Sequence, residues 1–165
     1  MPAVSEQFKT YRAFASATLD DIYGDRLKKA YKVSANHLES GVWFNETEKN
    51  GTMKFRWQSL PWEVQLSPVN AIVSGDFNGD GNLELILAQN HYTNWIETGL
   101  WRGNPGCHLE WKKDGFKVIP HKESGILLPN DTKAIMKIDA DRDGRPDILV
   151  GQNDDSLLFF HNNKN

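Results

Sequence analysis

Cysteine is nearly absent: Cys107 stands alone in 165 residues, which excludes an internal disulfide and any zinc cluster built on cysteine pairs. No apolar run approaches the roughly 18 residues that a membrane-spanning helix requires, so no membrane insertion is expected. Positive charge is not in excess either. A net charge of −3 and a pI near 5.9 speak against a nucleic-acid surface, because phosphate binding draws on clustered lysine and arginine. The nearest basic cluster, Arg26, Lys28, Lys29 and Lys32, reads as the solvated face of a short helix. The histidines, at 37, 91, 108, 121 and 161, contain no H-x-x-x-H pair, so a transition-metal site would have to be assembled from distant positions. Met1 to Lys9 has no basic start, apolar run or small-residue cleavage site of a secretory signal. Also missing are G-x-S-x-G, a P-loop and a G-x-G-x-x-G after a strand, and the chain is not expected to be an enzyme. Glu110 and Glu123 have the chemistry for glycoside hydrolysis, but nothing in the sequence sets their separation.

What is present falls into two textures. From Ser5 to Lys32 there is no proline and only one glycine, Gly24, and apolar residues recur at helical spacing in Phe8, Tyr11 and Phe14, then in Leu27, Ala30 and Tyr31. Thr18 with Asp21 three residues on reads as an N-cap with an acidic first turn, and Gly24 as a C-cap. One or two short helices are expected there. After Val33, short apolar or alternating runs are separated by Asn, Gly, Asp and Pro. Strands are predicted at Ser40 to Phe44, Met53 to Trp57, Ala71 to Ser74, Leu83 to Ala88 and Gly99 to Arg102. Four more are predicted at Leu109 to Lys112, Lys133 to Ile138, Asp147 to Val150 and Ser156 to His161. So many short strands with so few helices point to an all-β sandwich, barrel or propeller.

An internal repeat narrows that choice. Ala71 to Gln89 reads AIVSGDFNGDGNLELILAQ and Ala134 to Gln152 reads AIMKIDADRDGRPDILVGQ, aligned without a gap at an offset of 63 residues. A unit of this size cannot bury its faces alone. Each copy sets oxygen-bearing side chains at alternate positions: Asp76, Asn78 and Asp80, then Gly81, the backbone of Asn82, and Glu84; and Asp139, Asp141 and Asp143, then Gly144, the backbone of Arg145, and Asp147. Alternate spacing lets a curled loop turn its carboxylates toward one centre, the glycine permits the sharp turn, and hard oxygen donors of this kind suit calcium. A helix-flanked calcium loop is excluded, because its twelfth position needs a bidentate Glu and here holds Leu87 and Val150. Either stretch alone would read equally well as a β-turn. Two copies in register favour two calcium loops, and the charge distribution agrees: the loops hold seven of the 22 acids, leaving 15 acids against the 19 bases of the chain. Without a cation the acids of each loop repel one another.

Strand, D-x-[DN]-x-D-G-x-x-[DE], strand resembles the FG-GAP or VCBS repeat, the calcium-loop blade of integrin α-subunit propellers and of many bacterial surface and secreted proteins. The stretch from Leu38 to Asn163, with LESGVWFN, LPWEVQLSPVNAIV and ESGILLPNDTKAI, is similar to the C-terminal end of bacterial VCBS-repeat proteins related to the cartilage acidic protein group. The resemblance covers about three quarters of the chain. The second loop matches fully; the first departs at Asn78 and at Glu84, where Asp is usual.

The resemblance implies four-stranded antiparallel propeller blades, with the calcium loop joining strands one and two. Mapped here, residues 1–37 form a helical N-terminal segment and 38–165 about two and a quarter blades, too few to close a ring, with calcium loops at 76–84 and 139–147. Open blade edges are expected to pair with a second copy. The resemblance further implies an extracellular, periplasmic or cell-surface location.

In that geometry the connections Leu60 to Pro68, Asn90 to Thr98 and Pro120 to Asp131 lie opposite the calcium loops and gather Trp62, His91, Tyr92, Trp95, His121 and Glu123. Aromatics with polar neighbours suit a protein or glycan ligand, whereas Trp62 and Trp95 as plugs between blades are the alternative. Trp43, Trp57, Trp101 and Trp111 read as packing residues within strands. The expected function is adhesion or protein interaction with structural calcium, the alternative a glycan-binding or glycan-processing module.

Overall fold

The computed structural model describes residues 2–93 and 96–163. The chain divides into two compact units, Met1–Leu38 and Glu39–Asn165.

The first unit is a run of short helices set by their caps. Helices α1 (Pro2–Gln7), α2 (Tyr11–Ala15) and α3 (Leu19–Tyr23) precede a 3₁₀ turn over Gly24–Lys29. Thr18 caps α3 as its sequence predicts: the Asp21 N–H donates to Thr18 Oγ1 at 3.2 Å, and the Thr18 N–H donates to Asp21 Oδ2 at 2.8 Å. These reciprocal bonds satisfy two of the amides that a helix start leaves without partners. They also hold the Asp21 carboxyl below its usual range, chiefly through the Thr18 N–H. Gly24 ends the helix at a φ of 50°.

The second unit is mostly β, in three antiparallel sheets. Strands β1 (Gly41–Asn45) and β2 (Phe55–Ser59) form the first. The second is a four-stranded meander, β3 (Val69–Gly75), β4 (Glu84–Gln89), β5 (Cys107–Lys112) and β6 (Gly115–Ile119). After the single turn α4 (His121–Ser124), the third holds β7 (Thr132–Ile138), β8 (Asp147–Gln152) and β9 (Leu158–Phe160). The described strands form no closed ring.

Side-chain alternation on β4 explains how the sheets stack. Ile86 and Ala88 point to one face and join Ile126, Leu128, Ile148 and Val150 in a buried cluster. Leu87 points to the other and joins Leu60, Val64, Cys107 and Leu109, with Val42 of β1 packed alongside. A strand apolar on both faces is the mark of a central layer, and the second sheet is accordingly covered on both sides. Each fully buried aliphatic side chain contributes about 1.5–3 kcal/mol of transfer free energy.

One predicted strand is absent. Gly99 to Arg102 forms no strand; Trp101 makes only an isolated bridge to His91, with N–H to carbonyl distances of 2.8 and 2.9 Å. Gly99, Gly103, Pro105 and Gly106 break the segment, and Gly106 sits at a φ of 87° with Leu87 O only 3.0 Å from where a Cβ would stand. The strand that completes the sheet is β6, joined to β5 by a two-residue turn between Lys112 and Gly115. Its cue is the Asp114-Gly115 pair. Trp101 therefore lies outside the strands, and Trp43, predicted to pack, is more than half exposed.

Candidate metal centre

The internal repeat is a repeat of structure down to single hydrogen bonds. Both loops join the first two strands of a sheet, and both entry strands carry a register shift at matching places, Val69/Ala71 and Thr132/Ala134. The Gly81 N–H donates to Asp76 Oδ2 at 2.9 Å, and the Gly144 N–H to Asp139 Oδ2 at 3.0 Å. The Asp80 N–H donates to Asn78 Oδ1 at 2.8 Å, and the Asp143 N–H to Asp141 Oδ1 at 3.1 Å. The N–H groups of Asn82 and Arg145 reach Asp80 Oδ1 and Asp143 Oδ1, each at 2.8 Å. Gly81 and Gly144 take φ values of 82° and 85°, where a Cβ is strained. Two places earlier the copies differ in residue but not in shape: Gly79 has a φ of 80° and Arg142 one of 64°.

The ninth-position acids, Glu84 and Asp147, are both about 1% exposed. Each accepts the N–H of the second loop residue, Phe77 to Glu84 Oε2 at 3.0 Å and Ala140 to Asp147 Oδ2 at 2.9 Å. The remaining contacts diverge. Glu84 Oε1 accepts from Asn78 Nδ2 at 2.7 Å. Asp147 Oδ1 accepts the Asn162 N–H and faces His161 Nδ1, both at 2.9 Å. The N–H groups of Asn162 and Ala140 hold the Asp147 carboxyl below its usual range.

In the second loop Asp139, Asp141 and Asp147 each bring one carboxylate oxygen within 4.8 Å of the others. Carboxylate oxygens gathered in this way are hard donors of the kind that calcium takes. Asp143 is turned elsewhere. Its carboxylate pairs with the Arg145 guanidinium, with Nε at 2.6 Å from Oδ2 and Nη2 in close contact, and this pairing holds its pKa down. The first loop yields no such trio of acids, because Asn78 stands where the second has Asp141.

No family model, curated protein or solved structure matches the chain.

The five described residues of the expected ligand face, Trp62, His91, Tyr92, His121 and Glu123, lie on three separate connections. Trp62 sits on a 3₁₀ turn, Trp62–Leu66, and is 68% exposed, so it plugs nothing. His91 is bonded through Nδ1 to Lys133 Nζ at 2.9 Å, and Tyr92 donates its hydroxyl to Pro129 O at 2.7 Å. His121 uses Nδ1 on Ile126 O at 2.7 Å. Glu123 lines a groove of about 1390 Å³ that also holds Glu110, Asp76 and Glu84, and so shares that space with the first loop. Trp95 lies outside the described residues.

Three residues that sequence reasoning missed support the loops. His161 lies beside both Asp147 and Asp141, with Nε2 3.6 Å from Asp141 Oδ2. Asn162 follows it. His108 of β5, 6% exposed, brings Nε2 to 3.4 Å from Glu84 Oε2, and burial holds its pKa down against the pull of Glu84. Their signal is strand register: Ile148 pairs with Phe160, which brings the next residue, His161, beside Asp147. That pairing is unknown until the sheet is known.

Proposed function

We propose that this chain is a calcium-stabilised β-propeller repeat module that serves adhesion or protein interaction, with the metal in a structural role. The observation that carries the reading is the loop pair: the same hydrogen-bond pattern recurs 63 residues apart, each time between the first two strands of an antiparallel sheet. Sheets of two, four and three strands correspond, on this reading, to the end of one blade, a whole blade and most of a third. Asp139, Asp141 and Asp147 would hold the ion, and the ion would neutralise their mutual repulsion and fix the β7–β8 connection. The proposed role is binding rather than catalysis, at a cell surface or in an extracellular or periplasmic space. Among the described residues β9 pairs only with β8 and β1 only with β2, and such edges accept strands from a second copy.

A thermal melt of the metal-stripped protein, titrated separately with calcium and magnesium, tests the reading. Calcium at 100 times its Kd should add about 2.7 kcal/mol of stability for one site. Saturation is expected within about 10⁻⁴ to 10⁻³ M, the range of extracellular modules. An unchanged melting temperature with both ions would reduce the loops to turns.

The exposure of Trp62 favours a second reading, a glycan-binding module. Loss of oligosaccharide binding in Trp62→Ala would support it, and a glycan panel without hits would remove it.

A further inference from the structure

The face of the second sheet that meets the third is not apolar throughout. Directly opposed residues of antiparallel strands share a face. Ile86 pairs with His108 and His108 with Ile119, while Glu84 pairs with Glu110 and Glu110 with Lys117. Ile86 belongs to the cluster shared with Ile148 and Val150, so both rows look toward the third sheet. One row is Ile86, His108 and Ile119, and the next is two acids and a lysine. The counterpart of Ile86, 63 residues on, is Leu149, and its partner is Phe159. The third sheet thus has an apolar ring where the second has an imidazole.

That imidazole is only 6% exposed, and neither ring nitrogen makes a hydrogen bond among the described residues; Nε2 stands 3.4 Å from Glu84 Oε2. A buried polar group without a hydrogen bond is destabilising, so packing alone favours the phenylalanine of the other copy. His108 instead lines the groove of about 1390 Å³, together with Glu110, Lys117, Phe77 and Phe160.

The groups facing this groove ask for different things. The Glu110 carboxylate is bound to Lys112 Nζ at 2.5 Å rather than to Lys117 across from it. Opposed side chains of this kind stand about 4.5–5.5 Å apart at Cβ. An acceptor beside a donor suits two adjacent hydroxyls, one donating to the carboxylate and the other accepting from the ammonium. A hydroxyl also satisfies His108 Nδ1 in either tautomer. The ring of Phe77 packs edge-on to His108, with centroids 6.0 Å apart, and with Phe160 supplies apolar surface for the C–H face of a pyranose. An anion in the same space meets Glu84 and Glu110, and a cation meets Lys117 and Arg145.

We infer that the groove between the second and third sheets binds a neutral carbohydrate, with His108 at its floor and Glu110 and Lys117 holding adjacent hydroxyls. The inference rests on the glycan reading above and moves the contact away from Trp62, which does not line this groove.

NMR titration of the full chain in calcium tests it, read at the His108 ring against a panel of neutral tetrasaccharides in gluco, xylo, manno and N-acetylglucosamine series. At least one series should bind and shift the His108 ring signals. His108→Phe, matching the ring that the other copy carries at 159, should weaken that binding by about tenfold or more, and so should Lys117→Ala, as expected for a lost hydrogen bond from a charged group. Trp62→Ala should leave it unchanged. Binding that survives both groove variants but is lost in Trp62→Ala would overturn the inference and leave the glycan reading standing. A panel without a binder would overturn both. Tetralysine or tetraglutamate shifting the His108 signals as strongly as any sugar would also overturn it, because the groove would then select charge rather than hydroxyls. If His108→Phe fails to fold, Lys117→Ala, at an exposed strand position, still decides.

Discussion

The side-chain amide of Asn162 donates to the backbone carbonyl of Phe77 at 2.8 Å, across 85 residues of sequence, while its own N–H holds Asp147 Oδ1. A residue two places beyond β9 thus ties the first acidic loop to the ninth-position acid of the second. Both bonds lie where water is partly excluded, so each contributes more than an exposed bond does. Asn162→Ala is expected to cost about 1–2 kcal/mol in urea unfolding and to weaken calcium binding, because Asp147 loses rigidity when its neighbour moves. Equal unfolding midpoints for the variant and wild type would refute the link.

Arg142 carries a φ of 64° where the other copy has Gly79. A side chain in that region costs about 1–2 kcal/mol, and glycine recovers part of it against the greater freedom of the unfolded chain. Arg142→Gly should therefore raise stability by about 0.5–1 kcal/mol, measured by chemical denaturation in saturating calcium. A lower midpoint would show that the arginine makes a compensating contact.

Asp131 is buried and sits 2.5 Å from Lys133 Nζ. Burial pushes its pKa up, but the ion pair with Lys133 and the amide of Asn153 outweigh it, and the net shift is downward. A depressed folded-state pKa means that the stabilisation is complete above the unfolded value near 3.9 and is lost as pH falls through the lower folded value. Asp131→Asn should cost about 1–3 kcal/mol at pH 7, and the gap from wild type should narrow steadily below pH 4. A gap independent of pH would contradict the assignment.

Cys107 is buried in the second core cluster, accepts from Asn104 Nδ2 at 3.0 Å, and has its thiol pKa pushed up to about 11 by burial. At pH 8 its thiolate fraction is smaller than that of an ordinary cysteine by about a hundredfold. Thiol reagents should label the native protein at least that much more slowly than the urea-unfolded chain. Equal rates would mean that the cluster opens readily.

Legibility followed the range of each interaction. The Thr18–Asp21 cap was readable because both partners lie within one turn. The acidic loops were readable because, within each loop, their side chains bond to backbone at most seven residues away. The β6 hairpin was missed although Asp114-Gly115 marks it, since Gly115–Ile119 is too short and mixed to show a period. The proposed gathering of Trp62, His91, His121 and Glu123 on one face had no local cue. It depended on how three separate connections fold back, and the groove that takes in Glu123 is built by both acidic loops, the β6–β7 connection, residues of several strands and the residues after β9.

By itself the sequence determined the duplication, the spacing of oxygen donors, the positive-φ glycines and the capped helices, because each follows from residues near in the chain. Only the tertiary structure decided which histidine backs which carboxylate, since His108 and His161 reach Glu84 and Asp147 through strand pairing. It alone set the Asn78 amide on Glu84 as well: the same D-x-[DN]-x-D-G pattern admits an oxygen or an N–H at the loop's centre, and the surrounding donors choose between them.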